Sequence, residues 1–167
     1  VLSFYVPDQR ETEVGGQGGR SLWQIAQQLD FKIAIVASVS AWSIMSLLMT
    51  ATPVAMHHLD QFSMIDTAWV IQSHIMAMFL PSLVSGFLLD RYGPFRMITA
   101  GAGILILCLG VAFAGRHLMH YWWALVLLGI GWNFMYLGGT ALLTRTYEAN
   151  ERFKVQACND FVVFAMQ

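Results

Sequence analysis

A chain of 167 residues that is 57% hydrophobic and only 11% charged is not composed like a soluble domain, in which charged residues make up about a quarter. Its net charge of −1 singles out no partner, and nothing in it marks a nucleic-acid surface. The two cysteines, Cys108 and Cys158, have neither paired spacing nor a CxxC, so packing is a better reading for them than a disulfide or a zinc site.

The first residues, Val1 to Pro7, are apolar but lack the basic flank and cleavage site of a signal peptide; they read as the end of a preceding helix. Residues 8–20 carry Asp8, Arg10, Glu11, Glu13 and a run of glycines from Gly15 to Gly19, which reads as a flexible polar linker. No strand precedes those glycines, so a phosphate loop is a poor reading. Ser21 to Phe31 is a short amphipathic segment. Ser21 and Gln24 fit a capping box, while Leu22, Ile25, Ala26 and Leu29 fall on one helical face, which predicts a helix lying on the membrane surface.

Residues 1–32 therefore form a polar and interfacial lead-in, and 33–167 form the membrane part. Spans are predicted at about 33–54, 65–89, 95–115 and 121–144, each long enough for a ~30 Å hydrocarbon layer, with a further helix starting from 155. Backbone polar groups in lipid must be satisfied within the segment, so these are helices. The continuous apolar runs do not alternate as the strands of a barrel do. The fold class is an all-α polytopic membrane protein. Trp69, Tyr92, Tyr121, Trp122, Trp123 and Tyr147 gather near span ends, where amphipathic rings favour the interface.

Charge orients the bundle. Arg10, Arg20, Lys32, Arg91, Arg96, Arg145, Arg152 and Lys154 fall on one side and only Arg116 on the other. The positive-inside rule then places 1–32, 90–96 and 145–154 in the cytoplasm.

Polar residues inside spans are costly and usually face a neighbouring helix or a water-filled cavity. On the second span Thr67, His74, Ala77, Pro81 and Ser85 share a stripe. His74 lies about 24 Å along the helix from Asp90 at 1.5 Å per residue. It either carries a proton or contacts solute, or bonds between helices. On the fourth span Gly129, Asn133, Tyr136, Thr140 and Thr144 form a second stripe. Asn133 is about 18 Å from Arg145, near the midplane where transporter sites are expected. Asn133 and Tyr136 are thus candidates for a solute cavity, or for bonds between helices. Gly103, Gly110 and Ala114 suggest a close-packing face on the third span. Asp160 is placed at a helix start, which suits a carboxylate. The adjacent His57 and His58 share no helical face and have no third ligand, so no metal is expected. No catalytic or cofactor motif is found.

The most specific feature joins the second and third spans. Gly86-Phe-Leu-Leu-Asp90-Arg91-Tyr92-Gly93, followed by Pro94-Phe95-Arg96, makes a charged, glycine-bracketed turn on the cytoplasmic side. Gly86 suggests a close backbone approach and Gly93 a sharp bend. Arg91 and Arg96 would hold lipid headgroups, or pair with Asp90 or with acids of neighbouring helices. The turn resembles the signature loop of the major facilitator superfamily, Gly-x-Leu-x-Asp-Arg-x-Gly followed by basic residues; Pro94 departs from the usual basic residue. Gly129 to Thr144 with Tyr147, Glu151-Arg152, Gln156 and Asn159-Asp160 resembles the tenth helix and the start of the eleventh in bacterial permeases of that family. Ala51-Thr52-Pro53 and Ala68 to Gln72 resemble the seventh and eighth.

The resemblance covers nearly all of 33–167. It implies a C-terminal half, shortened, whose partner is an N-terminal six-helix half, in the inner membrane. It implies alternating-access transport of a small solute, with proton coupling and efflux as family possibilities. Asp90 would steady one facing of the transporter, and Arg145, Glu148, Glu151 and Arg152 would join Arg91 and Arg96 in one cytoplasmic charge network. The competing reading is a non-transport membrane assembly or sensor module.

Overall fold

The computed structural model describes residues 19–166, so the expected preceding helix end and most of the polar linker lie outside the described residues. Every regular element among the described residues is helical. The first, α1 (Leu22–Ala26), begins at Ser21, whose hydroxyl accepts from Gln24 N while Gln24 Oε1 accepts from Ser21 N. That is the capping box read from the sequence. It lasts one turn. The first long helix, α2 (Leu29–Val54), starts at Leu29, inside the stretch read as a surface helix.

Pro53 sits in the last turn of α2 and supplies no N–H. The helix widens directly after it into a π turn, Ala55–Leu59, as helices do where the regular ladder is interrupted. A loop leads to α3 (Met64–Phe79), capped by Ser63, whose hydroxyl accepts from Asp66 N at 3.1 Å. The predicted second span is two rods: α3 ends at Phe79 and α4 (Ser82–Tyr92) resumes after Leu80-Pro81. Pro81 is the cause, since its ring and missing N–H break the bonding to the preceding turn. Gly93 then turns the chain at φ +80° into α5 (Pro94–Ala114), with Pro94 in the first turn where its missing N–H costs nothing. The last long helix, α6 (Leu118–Leu143), is followed by a 3₁₀ turn, Ala149–Glu151, and by α7 (Arg152–Ala165). Leu29–Leu59, Met64–Tyr92, Pro94–Ala114 and Leu118–Leu143 are each long and apolar enough to cross a membrane.

At the centre is α6, packed against α2, α3 and α5. Its glycines make the approach possible. A Cβ at Gly129 would lie 2.8 Å from the His74 carbonyl oxygen of α3, and one at Gly101 of α5 would lie 2.6 Å from Met135 N of α6. Small residues at such crossings let backbones meet where no hydrophobic force drives helices together. The expected packing face of α5 is corrected. Gly101, Leu105 and Cys108 are its buried side, while Gly103, Gly110 and Ala114 face outward. A side chain added at Gly103 or Gly110 would meet nothing within 4 Å. A second apolar cluster, Ile25, Phe31, Ala34, Leu142, Leu143 and Val155, joins α1, α2, α6 and α7.

Candidate functional site

The bend of the signature turn falls at Gly93. Gly93 takes the left-handed conformation that disfavours side chains, and its N–H closes α4 on the Leu89 carbonyl at 2.8 Å. Asp90, Arg91 and Arg96 are all exposed. The expected pairing among them is not formed: among the described residues none of the three is in an ion pair. The Arg91 guanidinium lies instead over the Tyr92 ring, 5.8 Å from its centroid. Nor does Gly86 mediate a close approach, since a Cβ there would meet nothing within 4 Å. Asp90 thus presents a carboxylate at the end of a helix, open to a partner.

The charge network expected to include Arg91 and Arg96 is centred elsewhere. Glu151 is 1% exposed and is held by Arg20, with Nε to Oε1 at 3.2 Å and Nη2 to Oε2 at 2.6 Å. Arg20 Nη2 also donates to the Thr146 carbonyl at 3.1 Å, and Gln28 donates to the same oxygen at 3.2 Å. Lys154 Nζ donates to the Arg20 carbonyl. The two-pronged Arg20 hydrogen bonds, helped by the Glu148 N–H, hold the Glu151 carboxyl down at about 2 against the pull of burial; Glu151 in turn raises Arg20 above its ordinary value. Arg145 and Arg152 are exposed and make no ion pair among the described residues. The cluster therefore ties the segment before α2 to the α6–α7 junction and does not reach Arg91 or Arg96.

Within the membrane, the candidate stripe residues are drawn into helix contacts. His74 is fully buried, with Nδ1 2.8 Å from the Leu125 carbonyl of α6 and Nε2 unpartnered. Asn133 faces the break between α3 and α4. Its Nδ2 donates to the Met78 carbonyl at 2.9 Å and to Ser82 Oγ at 2.7 Å, and its Oδ1 lies 2.8 Å from the donating Ser85 hydroxyl. Both side-chain groups of Asn133 are thereby used. Tyr136 points another way, into an aromatic trio. It stacks on Trp132 at 5.1 Å, and Trp42 of α2 meets both edge-on at 5.1 and 5.8 Å. Trp132 Nε1 is buried without a partner. Trp42 and Trp132 were not singled out from the sequence; two mid-span tryptophans away from the interfacial belt were the available signal.

A second aromatic feature lies toward the starts of α3 and α6. Trp69 of α3 stacks on Trp122 of α6 at 5.6 Å, and Trp122 Nε1 donates to Ser73 Oγ at 2.8 Å. They border a mainly apolar groove of about 490 Å³ running down to Pro81. At the start of α6 Asp60 accepts from the Tyr121 hydroxyl at 2.6 Å and lies 3.7 Å from Arg116, tying the loop after α2 to that helix. His57 Nδ1 sits 3.3 Å from the Phe62 carbonyl. Among the described residues no group of histidine, cysteine and carboxylate side chains is arranged to hold a metal.

Long apolar helices around a central glycine-rich one, joined by a charged turn, define a multi-pass membrane protein of the transporter class. The chain belongs to the Major Facilitator Superfamily, which it matches over residues 2–165, a family of transporters and not enzymes. It is 37% identical over 150 residues to the riboflavin transporter RfnT of Brucella anthropi, a match covering 87% of this chain and 36% of that protein. Two Bacillus subtilis proteins described as uncharacterized MFS-type transporters, YdeG and YddS, are 41% and 39% identical over 72% and 78% of this chain. Those matches cover 28% and 30% of their lengths, so the chain spans about a third of the relatives it matches. No solved structure matches it.

Proposed function

We propose that this chain supplies part of a secondary transporter that moves a planar aromatic solute of the flavin type across the inner membrane by alternating access. Membership of the transporter family supports the coarse reading. The observation that carries the solute class is the trio Trp42, Trp132 and Tyr136, which places stacked and edge-on rings from two helices at mid-membrane depth. Rings of this kind hold planar aromatic ligands by stacking, and the buried Trp132 Nε1 is a donor without an acceptor. The likeness to a riboflavin transporter agrees with that chemistry.

In this reading Tyr136 lines the solute path. Asp90, open at the end of α4, is the gating carboxylate that meets the N-terminal half, with Arg91 and Arg96 beside it at the lipid headgroups. Outward direction and proton coupling complete the proposal. The test is uptake of radiolabelled riboflavin into inside-out proteoliposomes holding the whole protein, where an exporter accumulates its solute, with and without an imposed pH gradient. Accumulation above protein-free vesicles, abolished by Trp132→Ala and insensitive to a non-aromatic solute in excess, is the expected outcome. Riboflavin flux equal to that of empty vesicles would refute the solute assignment.

A further inference from the structure

We infer that Asn133 is a positioning residue for the signature turn: it fixes the direction in which α4 leaves the break at Leu80-Pro81, and so aims Asp90. This deepens the gating role proposed for Asp90 and rests on it for its consequence in transport. The geometric claim stands on α4 itself. Of the residues Ser82 to Tyr92, Ser85 alone is buried. Leu83, Val84 and Phe87 are all more than half exposed, so apolar packing does little to hold this rod. Its cytoplasmic end is joined to α5 through Gly93, whose φ of +80° makes a bend and not a continuous helix. Its other end is joined to α3 through the proline break. The backbone stays right-handed helical through Leu80 and Pro81, with Val84 N and Ser85 N both on the Pro81 carbonyl, so what the proline weakens is the bonding of the last carbonyls of α3, and a side chain that takes one of them steadies the join.

Beside the packing of α4 on α5 and α6, the polar contact at the join is the Asn133 cluster. Asn133 reaches the Met78 carbonyl in the last turn of α3 and the Ser82 hydroxyl in the first turn of α4, and so spans the break from both sides. Ser85, one turn on, places its hydroxyl 2.8 Å from Asn133 Oδ1 and 2.7 Å from the Pro81 carbonyl. Ser85 and Asn133 are both nearly inaccessible. Polar groups in such surroundings are held firmly, because leaving one unpaired costs more there than in water. Asn133 itself sits on α6, the helix that α2, α3 and α5 all grip. The central helix of the bundle therefore sets the angle at which α4 leaves the proline join.

The experiment uses the full-length transporter with nitroxide labels at Phe87→Cys on α4 and Met119→Cys at the outer end of α6, other reactive cysteines being replaced. The native protein should give one narrow distance distribution. Asn133→Leu and Ser85→Ala should each shift and broaden it, and Ser85→Thr, which keeps the hydroxyl, should restore it. In vesicles the first two variants should lower the maximal transport rate while leaving the solute concentration for half-maximal rate unchanged. A native distribution for Asn133→Leu, or equal disturbance by Ser85→Thr and Ser85→Ala, would overturn the inference. A native protein that moves no solute would refute the transport reading, and the distance result would still decide this one.

Discussion

The closest helix crossing gives the sharpest stability prediction. A methyl group placed on Gly101 would sit 2.6 Å from Met135 N, 2.8 Å from the Gly131 carbonyl oxygen and 2.9 Å from Met135 Cβ. Two of these are backbone atoms of α6, which no rotamer change moves. Gly101→Ala therefore forces α5 away from α6 by several tenths of an ångström along a tightly packed seam. Overpacking of this kind costs about 1–3 kcal/mol, and alanine returns at most about 1 kcal/mol of helix propensity. Two residues along the same helix, Gly103 faces open space, so Gly103→Ala keeps the propensity gain and meets no clash. The assay is thermal unfolding of the detergent-purified full protein, followed by a dye that labels buried thiols. Gly101→Ala should lower Tm by several degrees at about 2–4 °C per kcal/mol, and Gly103→Ala should leave it equal or slightly raised. Equal shifts for the two variants would refute the packing assigned to α5.

Four other outcomes are expected. Glu151 has its carboxyl held below the unfolded value of about 4.3, at about 2. Its stabilising contribution is therefore fully present above the unfolded value and is lost as pH falls toward 2. The Tm difference between the native protein and Glu151→Gln should stay flat from pH 8 to pH 5 and shrink below about pH 4; a difference that changes between pH 6 and pH 8 would count against the Arg20 pairing. Tyr121→Phe removes the hydroxyl that donates to Asp60 and should cost about 1 kcal/mol, read as a small Tm loss that is smaller in an Asp60→Ala background than in the native protein. Maleimide should label Cys158, which is partly exposed, and spare the buried Cys108 until the protein unfolds. Arg91→Ala and Arg96→Ala should leave Tm unchanged, because exposed charges without an ion-pair partner contribute little; any effect of theirs belongs in transport rate.

The spans, their number and the turn between the second and third were legible because each is a local property. Apolar run length decides whether a helix crosses, and a glycine with positive φ decides where it bends. The losses begin where a residue's role depends on what faces it. Gly129, Asn133, Tyr136 and Thr140 do form one stripe on α6, yet that stripe has different neighbours along its length. Gly129 meets α3, Asn133 meets the break before α4, Tyr136 meets Trp42 of α2, and Thr140 is exposed. Periodicity reports the angle of a residue about its own helix and is silent about which helix stands opposite. Arg20 and Glu151 were each visible as cytoplasmic charges, but they are 131 residues apart and no spacing rule joins them. Pro81 was visible too, read as one more member of a polar stripe. Its effect was missed because a proline matters through the carbonyls it leaves free, and the group that answers one of them, Asn133, comes from another helix. The same polarity that suggested a solute ligand at Asn133 is what a broken helix in lipid requires for itself.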